Sequence, residues 1–205
     1  YQSAIALMDR GPAKPTLFSV RLPSTYISRE TNDYLDFFCQ TTAIPEIRHN
    51  SIKLAGQENM GVVRDQPTAI IYAKPFVIDI IADAEMDTYR EIREWFDATA
   101  LNANQALATG RTQKMKYYST YAKNMELIKL EQPANQTDNN SDREDKLEET
   151  MKVTFINAYP IGVGRIGLDS SSADQILKFQ VSFTYESYTV SYDGLDSQRV
   201  PSGLI

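Results

Sequence analysis

The stretch "GVGRIG" at Gly162–Gly167, followed by "LDSSSADQILKFQVSFTYESY" at Leu168–Tyr188, decides the fold. The first six letters satisfy G-x-G-x-x-G, the pattern of a dinucleotide-binding turn. In such a turn the third glycine opens a helix whose N–H groups face a pyrophosphate. The helix and its connections need a crossover of at least about 10–12 residues before the next parallel strand. Here seven residues, Ser170 to Ile176, stand between the glycines and a long alternating run. The phosphate reading fails on length. The glycines are expected instead to join two antiparallel strands, with backbones free to take positive φ where the chain turns.

The alternating run itself is the clearest signal in the chain. In "KFQVSFTYES", Phe179, Val181, Phe183 and Tyr185 fall on one face, and Lys178, Gln180, Ser182, Thr184 and Glu186 on the other. A period of two with one apolar face predicts a strand that is packed on one side and wet on the other. "KVTFINAY" repeats the pattern, with Val153, Phe155 and Tyr159 opposite Lys152 and Thr154. "PTLFSVRL", "YLDFFCQTT", "EIRHNSIKLA", "AIIYAKPFVIDIIA" and "YYSTYAKNMELIKLE" supply further strands. Pro75 is expected to start or bend one, since proline cannot donate to a ladder.

One segment has a different period. In "DAEMDTYREIREWFDATALN", Met86, Tyr89, Ile92, Phe96 and Thr99 recur at three- and four-residue steps, with Trp95 beside them. This predicts one amphipathic helix over about 84–101, with Asp83 as its N-cap and Glu85 and Asp87 at the positive end of its dipole. The fold class expected is mainly β (α+β): an antiparallel β-sandwich or barrel with one flanking α-helix. The organisation expected is an N-terminal arm over 1–14, a single β domain over 15–190 and an extension over 191–205. "NANQALATGRTQK" (102–114) reads as an irregular loop, and about 132–149 as a solvated acidic insertion.

Composition narrows the chemistry. One cysteine, Cys39, and one histidine, His49, leave no intrachain disulfide, no Cys/His zinc cage and no Cys-x-x-Cys redox pair. Cys39 reads as a small buried hydrophobe, and His49 as one residue of a polar strand. Residues 131–150 hold seven acids against Arg143 and Lys146, so −5 of the formal −6 lies there and the remainder is almost neutral. A basic stripe for gripping nucleic acid is absent. The carboxylate pairs Asp79 with Asp83 and Glu91 with Glu94 read as strand-end and helix-surface charges rather than acid/base partners. No catalytic residue, metal ligand or cofactor is therefore expected. No apolar run approaches the roughly 20 residues of a membrane-spanning helix, and the first residues lack the pattern of a signal peptide.

Several stretches resemble, in order, a known family. "KVTFINAYPIGVGRIGLDSSSADQILKFQVSFTYESY" is similar to the C-terminal part of tail tube proteins of contractile-tailed, T-even-type bacteriophages. "PTLFSVRL" resembles that family's opening Pro-x-Leu-Phe-x-Val strand. "FFCQTTAIPE", with Cys39, Thr42, Ala43 and Pro45, resembles its Phe-x-Cys-x-x-Thr-x-x-Pro element. "FVIDIIADAEMDTYREIREWFD" resembles the strand, Asp and tryptophan-bearing helix that follow. The collinear blocks run from about Pro15 to Tyr188; the acidic segment and the residues after Thr189 depart from the pattern.

The resemblance implies a structural virion protein with no enzymatic activity. It implies subunits that close into hexameric rings, rings that stack into the inner tail tube, and phage DNA passing through without sequence-specific binding. The partners implied are other copies of the chain and the tail sheath, tape measure, baseplate and tail terminator proteins, in a tail assembled in the host cytoplasm. The tube of a contractile injection or secretion device and a tube-initiating baseplate subunit remain as alternatives. A small-ligand-binding β-barrel module shares the alternation but would stay monodisperse. The long turn in "LAGQENMGVVRDQPTAIIYAK" marks Gln57, Glu58, Asn59, Met60, Val62, Val63 and Arg64 as subunit-contact candidates. Glu126 and Glu186, on wet faces, are lumen candidates, because a neutral-to-acidic wall does not hold phosphates.

Overall fold

Nine strands and three helices follow one another in the computed structural model, which describes residues 13–54, 63–99, 116–131, 147–168 and 176–192. In chain order they are β1 (Phe18–Arg21), α1 (Arg29–Phe38), β2 (Cys39–Thr42), β3 (Ile47–Leu54), β4 (Arg64–Tyr72) and β5 (Phe76–Ile81). Then come α2 (Asp87–Asp97), a single turn α3 (Tyr118–Tyr121), β6 (Lys123–Glu131), β7 (Glu148–Val163), β8 (Lys178–Thr184) and β9 (Ser187–Tyr192).

Seven strands form one antiparallel sheet in the order β1-β6-β7-β8-β5-β2, with β9 also paired to β7; β3 and β4 form a separate ribbon. The sheet folds at β7. Up to Ala158 that strand pairs with β6 and, over Met151–Ile156, with β9, while Tyr159–Val163 pair with β8. The corner is Asn157, at φ 54. Asn tolerates this left-handed conformation better than most side-chain-bearing residues. Its surroundings hold it there: its N–H donates to Asn124 Oδ1 at 3.2 Å and its Nδ2 to Glu186 Oε2 at 2.8 Å. The Tyr118 hydroxyl donates to its carbonyl at 3.2 Å.

The two leaves close on a core supplied by the alternating residues. Val20, Leu127, Val153 and Phe155 come from one leaf and Ile78, Ile80, Phe179, Val181 and Phe183 from the other. Phe76 and Phe155 meet across the interior with ring centroids 4.5 Å apart. Each such side chain contributes about 1.5–3 kcal/mol through removal from water. The sheet stays open: β1, β2 and β9 each have one paired neighbour, so a single chain forms a folded sheet rather than the closed barrel that was one of the two expected forms.

The helix expected over 84–101 is α2, and it is shorter. The N-cap position is Met86 rather than the expected Asp83, but Asp83 still serves the helix end: its two carboxylate oxygens accept from the N–H groups of Asp87 and Thr88 at 2.8 and 3.2 Å. The chain reaches the helix through Met86 at φ 60, so the first helical residue is Asp87. The buried stripe is Thr88, Ile92 and Trp95, which makes Trp95 its centre rather than an addition beside it. Trp95 is fully buried, donates from Nε1 to the Tyr121 carbonyl at 2.9 Å and stacks on Tyr26.

A single flanking helix was expected, but a second, α1, occupies part of the stretch read as a strand. The aromatic run of "YLDFFCQTT" suggested β structure, yet only Cys39–Thr42 is extended. Ser28 caps α1 by accepting from the Thr31 N–H at 3.1 Å, and Thr31, Asn32 and Leu35 form the buried stripe. Local capping and three-to-four-residue spacing outweigh aromatic β propensity here. Cys39 is buried, as expected, and burial, with the nearby Asp79 charge, pushes its thiol up to about 12.

The glycines connect antiparallel strands, but their reason differs from the expected one. None of Gly162, Gly164 and Gly167 lies in the left-handed region that favours glycine. Gly164 is required by proximity: a Cβ there would lie 2.9 Å from the Gln180 carbonyl oxygen. The acidic segment ends differently too, since Glu148 and Glu149 open β7 opposite Glu131 and Leu130. Its residues 132–146, the loop over 102–114, the arm up to residue 12 and the extension from 193 lie outside the described residues. β9 continues to Tyr192, slightly past the expected end of the domain.

Candidate assembly surfaces

Strand margins are the first surface to consider, because unpaired N–H and C=O groups invite another strand. The β1 margin is occupied. Helix α1 lies along it: Asn32 Oδ1 accepts from the Leu22 N–H at 2.8 Å, and Asp36 accepts from the Ser19 hydroxyl and, at 2.8 Å, from Arg21. The outer margins of β2 and β9 carry no such cover among the described residues. Phe37, 83% exposed, stands beside β2, and Val190 and Tyr192 are exposed along β9.

The β3–β4 ribbon is the second surface. Its register runs from Ile47 opposite Tyr72 to Leu54 opposite Arg64, with a bulge between Asn50 and Ser51 where Thr68 is the extra residue. Sixteen of its seventeen residues are exposed, with no alternation in burial: β3 is exposed throughout and β4 everywhere except Tyr72. Ile47, Ile52, Leu54, Ile70 and Ile71 are therefore large apolar side chains left in water. Among the described residues, the contacts that anchor the ribbon lie at its base. Ala73 donates to the Glu46 carbonyl at 2.9 Å, Tyr185 and Tyr188 donate their hydroxyls to the Ala73 and Pro45 carbonyls, and Tyr72 packs edge-on against Tyr188.

Of the subunit-contact candidates, Val63 and Arg64 stand at the far end of the described ribbon and are exposed. Gln57, Glu58, Asn59, Met60 and Val62 lie outside the described residues. The ribbon isoleucines were missed from sequence, although a signal existed. Ile70 and Ile71 are adjacent, so they cannot share one face, and an apolar residue on both faces of a strand needs cover on both.

The two lumen candidates are placed apart. Glu126 lies mid-β6 on the polar face of its leaf, opposite Arg21 and Thr154, and pairs with Lys152 Nζ at 2.8 Å. Thr154, Thr189, Lys152 and Ser191 share that face by register. Its charges are thus compensated in place rather than left bare. Glu186 sits between β8 and β9, where it accepts from Asn157 and serves the corner of the sheet. The Tyr118 phenol beside it is pushed up to about 12, first by burial and then by its bond to Glu186.

Three of the four carboxylates considered as acid/base partners are otherwise engaged. Asp79 accepts from Gln180 Nε2 at 2.9 Å, Asp83 serves the N-terminal end of α2, and Glu91 accepts from the Ser28 N–H at 2.9 Å. Among the described residues no cluster of His, Cys, Asp and Glu has metal-binding geometry, and no helix is long and apolar enough to cross a membrane.

Comparison with known proteins places this architecture. A search of curated proteins finds no match. The fold is similar to that of a chain in the anti-feeding prophage tube-terminating cap, at TM-score 0.54 and 12% identity over 88% of this chain and 91% of that one. It is similar to a chain of the six-fold symmetrised anti-feeding prophage baseplate, at 0.53 and 13% over 90% and 98%. It is also similar to one in the sheath–tube complex of an extracellular contractile injection system, at 0.53 and 12% over 94% and 98%. At such identities the likeness is one of fold. The profile described as "Phage tail tube protein" matches residues 13–191, nearly the whole described chain. The chain belongs to the phage tail tube protein family.

Proposed function

We propose that this chain is the repeating structural subunit of the inner tube of a contractile phage tail, closing into six-membered rings that stack around a DNA-conducting bore. The observation that carries the proposal is, among the described residues, an open sheet with two uncovered margins together with a ribbon whose large apolar side chains stay exposed. A monomer gains nothing from either feature, whereas a neighbour supplies both missing partners. Lateral pairing of leaves would make a continuous wall, and head-to-tail stacking extends without limit.

The polar face bearing Thr154, Thr189, Ser191 and the Glu126–Lys152 pair is the proposed bore wall. Hydroxyls and internally neutralised charges offer phosphates no cluster of cations to dwell on. The wall is accordingly neutral rather than strongly acidic. The sheath, tape measure, baseplate and terminator proteins are the proposed partners, and the chain performs no catalysis. The related folds from a tube cap, a baseplate and an injection-system tube support a second reading: the tube, or the tube-initiating subunit, of a contractile injection device.

Electron microscopy of the purified chain tests the proposal. Six-fold rings or tubes are expected. A chain that stays monomeric at high concentration and with preformed baseplates overturns it. The bore assignment is tested on tubes with cysteine introduced at Thr189, Cys39 being buried. A small maleimide should label the assembled tube, and a bulky polymer maleimide should label only free subunits.

A further inference from the structure

The two ends of β5 carry surfaces of opposite chemistry. The ribbon meets the body at Ala73, just before Phe76, where the strand begins. Just beyond Ile81, where it ends, a groove of about 490 Å³ opens between the first turns of α1 and α2. Its lining includes Glu30, Tyr34, Asp83, Ala84, Glu85 and Glu91. Asp83 and Glu91 are occupied by backbone N–H groups, and Asp87 pairs with Arg90 at 2.7 Å. Glu30 and Glu85 are exposed and have no ion-pair partner among the described residues.

The ribbon has a face that answers this. By register and pleat, Arg48, Asn50, Ile52 and Leu54 share one side with Ile71, Ala69, Gln66 and Arg64. That side carries two arginines, four apolar residues and no carboxylate. Arg48 touches Glu46 at 3.5 Å at the base, while Arg64, at the far end, has no ion pair among the described residues. Eight paired residues reach about 26 Å, against about 20 Å for the six residues of β5, so the ribbon is long enough to cross a neighbour's end.

We propose that the ribbon of one copy docks by this face into the inter-helix groove of the next copy, with Arg64 meeting Glu30 and Glu85. This inference rests on the tube reading above and names the receiving surface for its axial contact. Because ribbon and groove lie at opposite ends of the same strand, each copy offers one of each, and the contact repeats head to tail. Opposite charge sets the register of docking, and Ile52, Leu54 and Ile71 are covered as the contact closes.

The test is charge exchange on the full chain. Arg64→Glu alone, and Glu30→Lys with Glu85→Lys, should each raise the concentration needed for tube growth about tenfold and leave isolated rings. The three substitutions together should restore long tubes. Thermal melting of the free subunit should not move, since all three sites are exposed. Single reversals that form tubes at the wild-type concentration overturn the contact, as does a triple variant no better than either reversal. Rings and tubes absent from the wild-type chain would instead overturn the reading on which it rests.

Discussion

The ribbon and the sandwich beneath it draw on the same kinds of residue and meet opposite fates. In β8, Phe179, Val181 and Phe183 are almost wholly removed from water, and the polar residues between them face out. In β3 and β4 isoleucines stand on both sides of the ribbon, and Ile70 is 52% exposed. An isolated two-stranded ribbon is marginal in water because it has no third layer to receive its apolar side. The sandwich is built for its own stability. The ribbon's exposed apolar residues add little to it.

The sharpest way to break that contrast is at the body's centre. Trp95→Ala removes a fully buried ring and its bond to the Tyr121 carbonyl and should cost about 3–5 kcal/mol, seen as a large fall in the urea midpoint. Such a loss is a large part of a typical domain's stability of about 5–15 kcal/mol. Next comes Gly164→Ala, whose methyl would press on the Gln180 backbone and should cost about 1–3 kcal/mol. Gly167→Ala, with nothing within 4 Å, is the matched control and should change little. Equal effects at the two glycines would refute the close-approach account.

The corner is a subtler probe. Asn157→Val places a β-branched residue at φ 54 and loses the bond to Glu186, for about 2 kcal/mol, whereas Asn157→Gly relieves the strain and should cost about half as much. Alkaline titration tests the same corner. Burial and the Glu186 bond raise the Tyr118 phenol from 10.0 to about 12, and burial raises Tyr185 to about 12. A phenol raised in the folded state favours folding while it is protonated in both states. Its contribution is therefore complete below pH 10 and disappears as pH rises towards 12. Denaturation midpoints should hold steady up to that window and fall within it, with tyrosinate absorbance following.

The smallest expected effect on stability belongs to the ribbon. Ile70→Ser should shift the melting of the free subunit by less than about 0.5 kcal/mol, yet weaken assembly measured by sedimentation. A destabilisation comparable to that of Trp95→Ala would show that the ribbon is part of the body after all.

Sequence alone determined the strands of the body, because burial on one face leaves a period of two that any reader can count. "KFQVSFTYES" became β8 with the predicted face inward, and Asp83 was recognisable as serving the helix start because a carboxylate before an amphipathic run has few other uses. The ordered blocks also carried the family. The aromatic run at residues 29–38 fits either period; the Ser28 cap favours the helix locally, and only tertiary structure supplied the contacts that seat it, Asn32 with Leu22 and Asp36 with Arg21. Tertiary structure decided that Gly164 answers to a neighbour's backbone rather than to its own φ. It also decided that β3 and β4 stand clear of the core, because a strand's alternation records only which residues could be buried together, and whether a partner layer exists is settled by the packing of the whole chain.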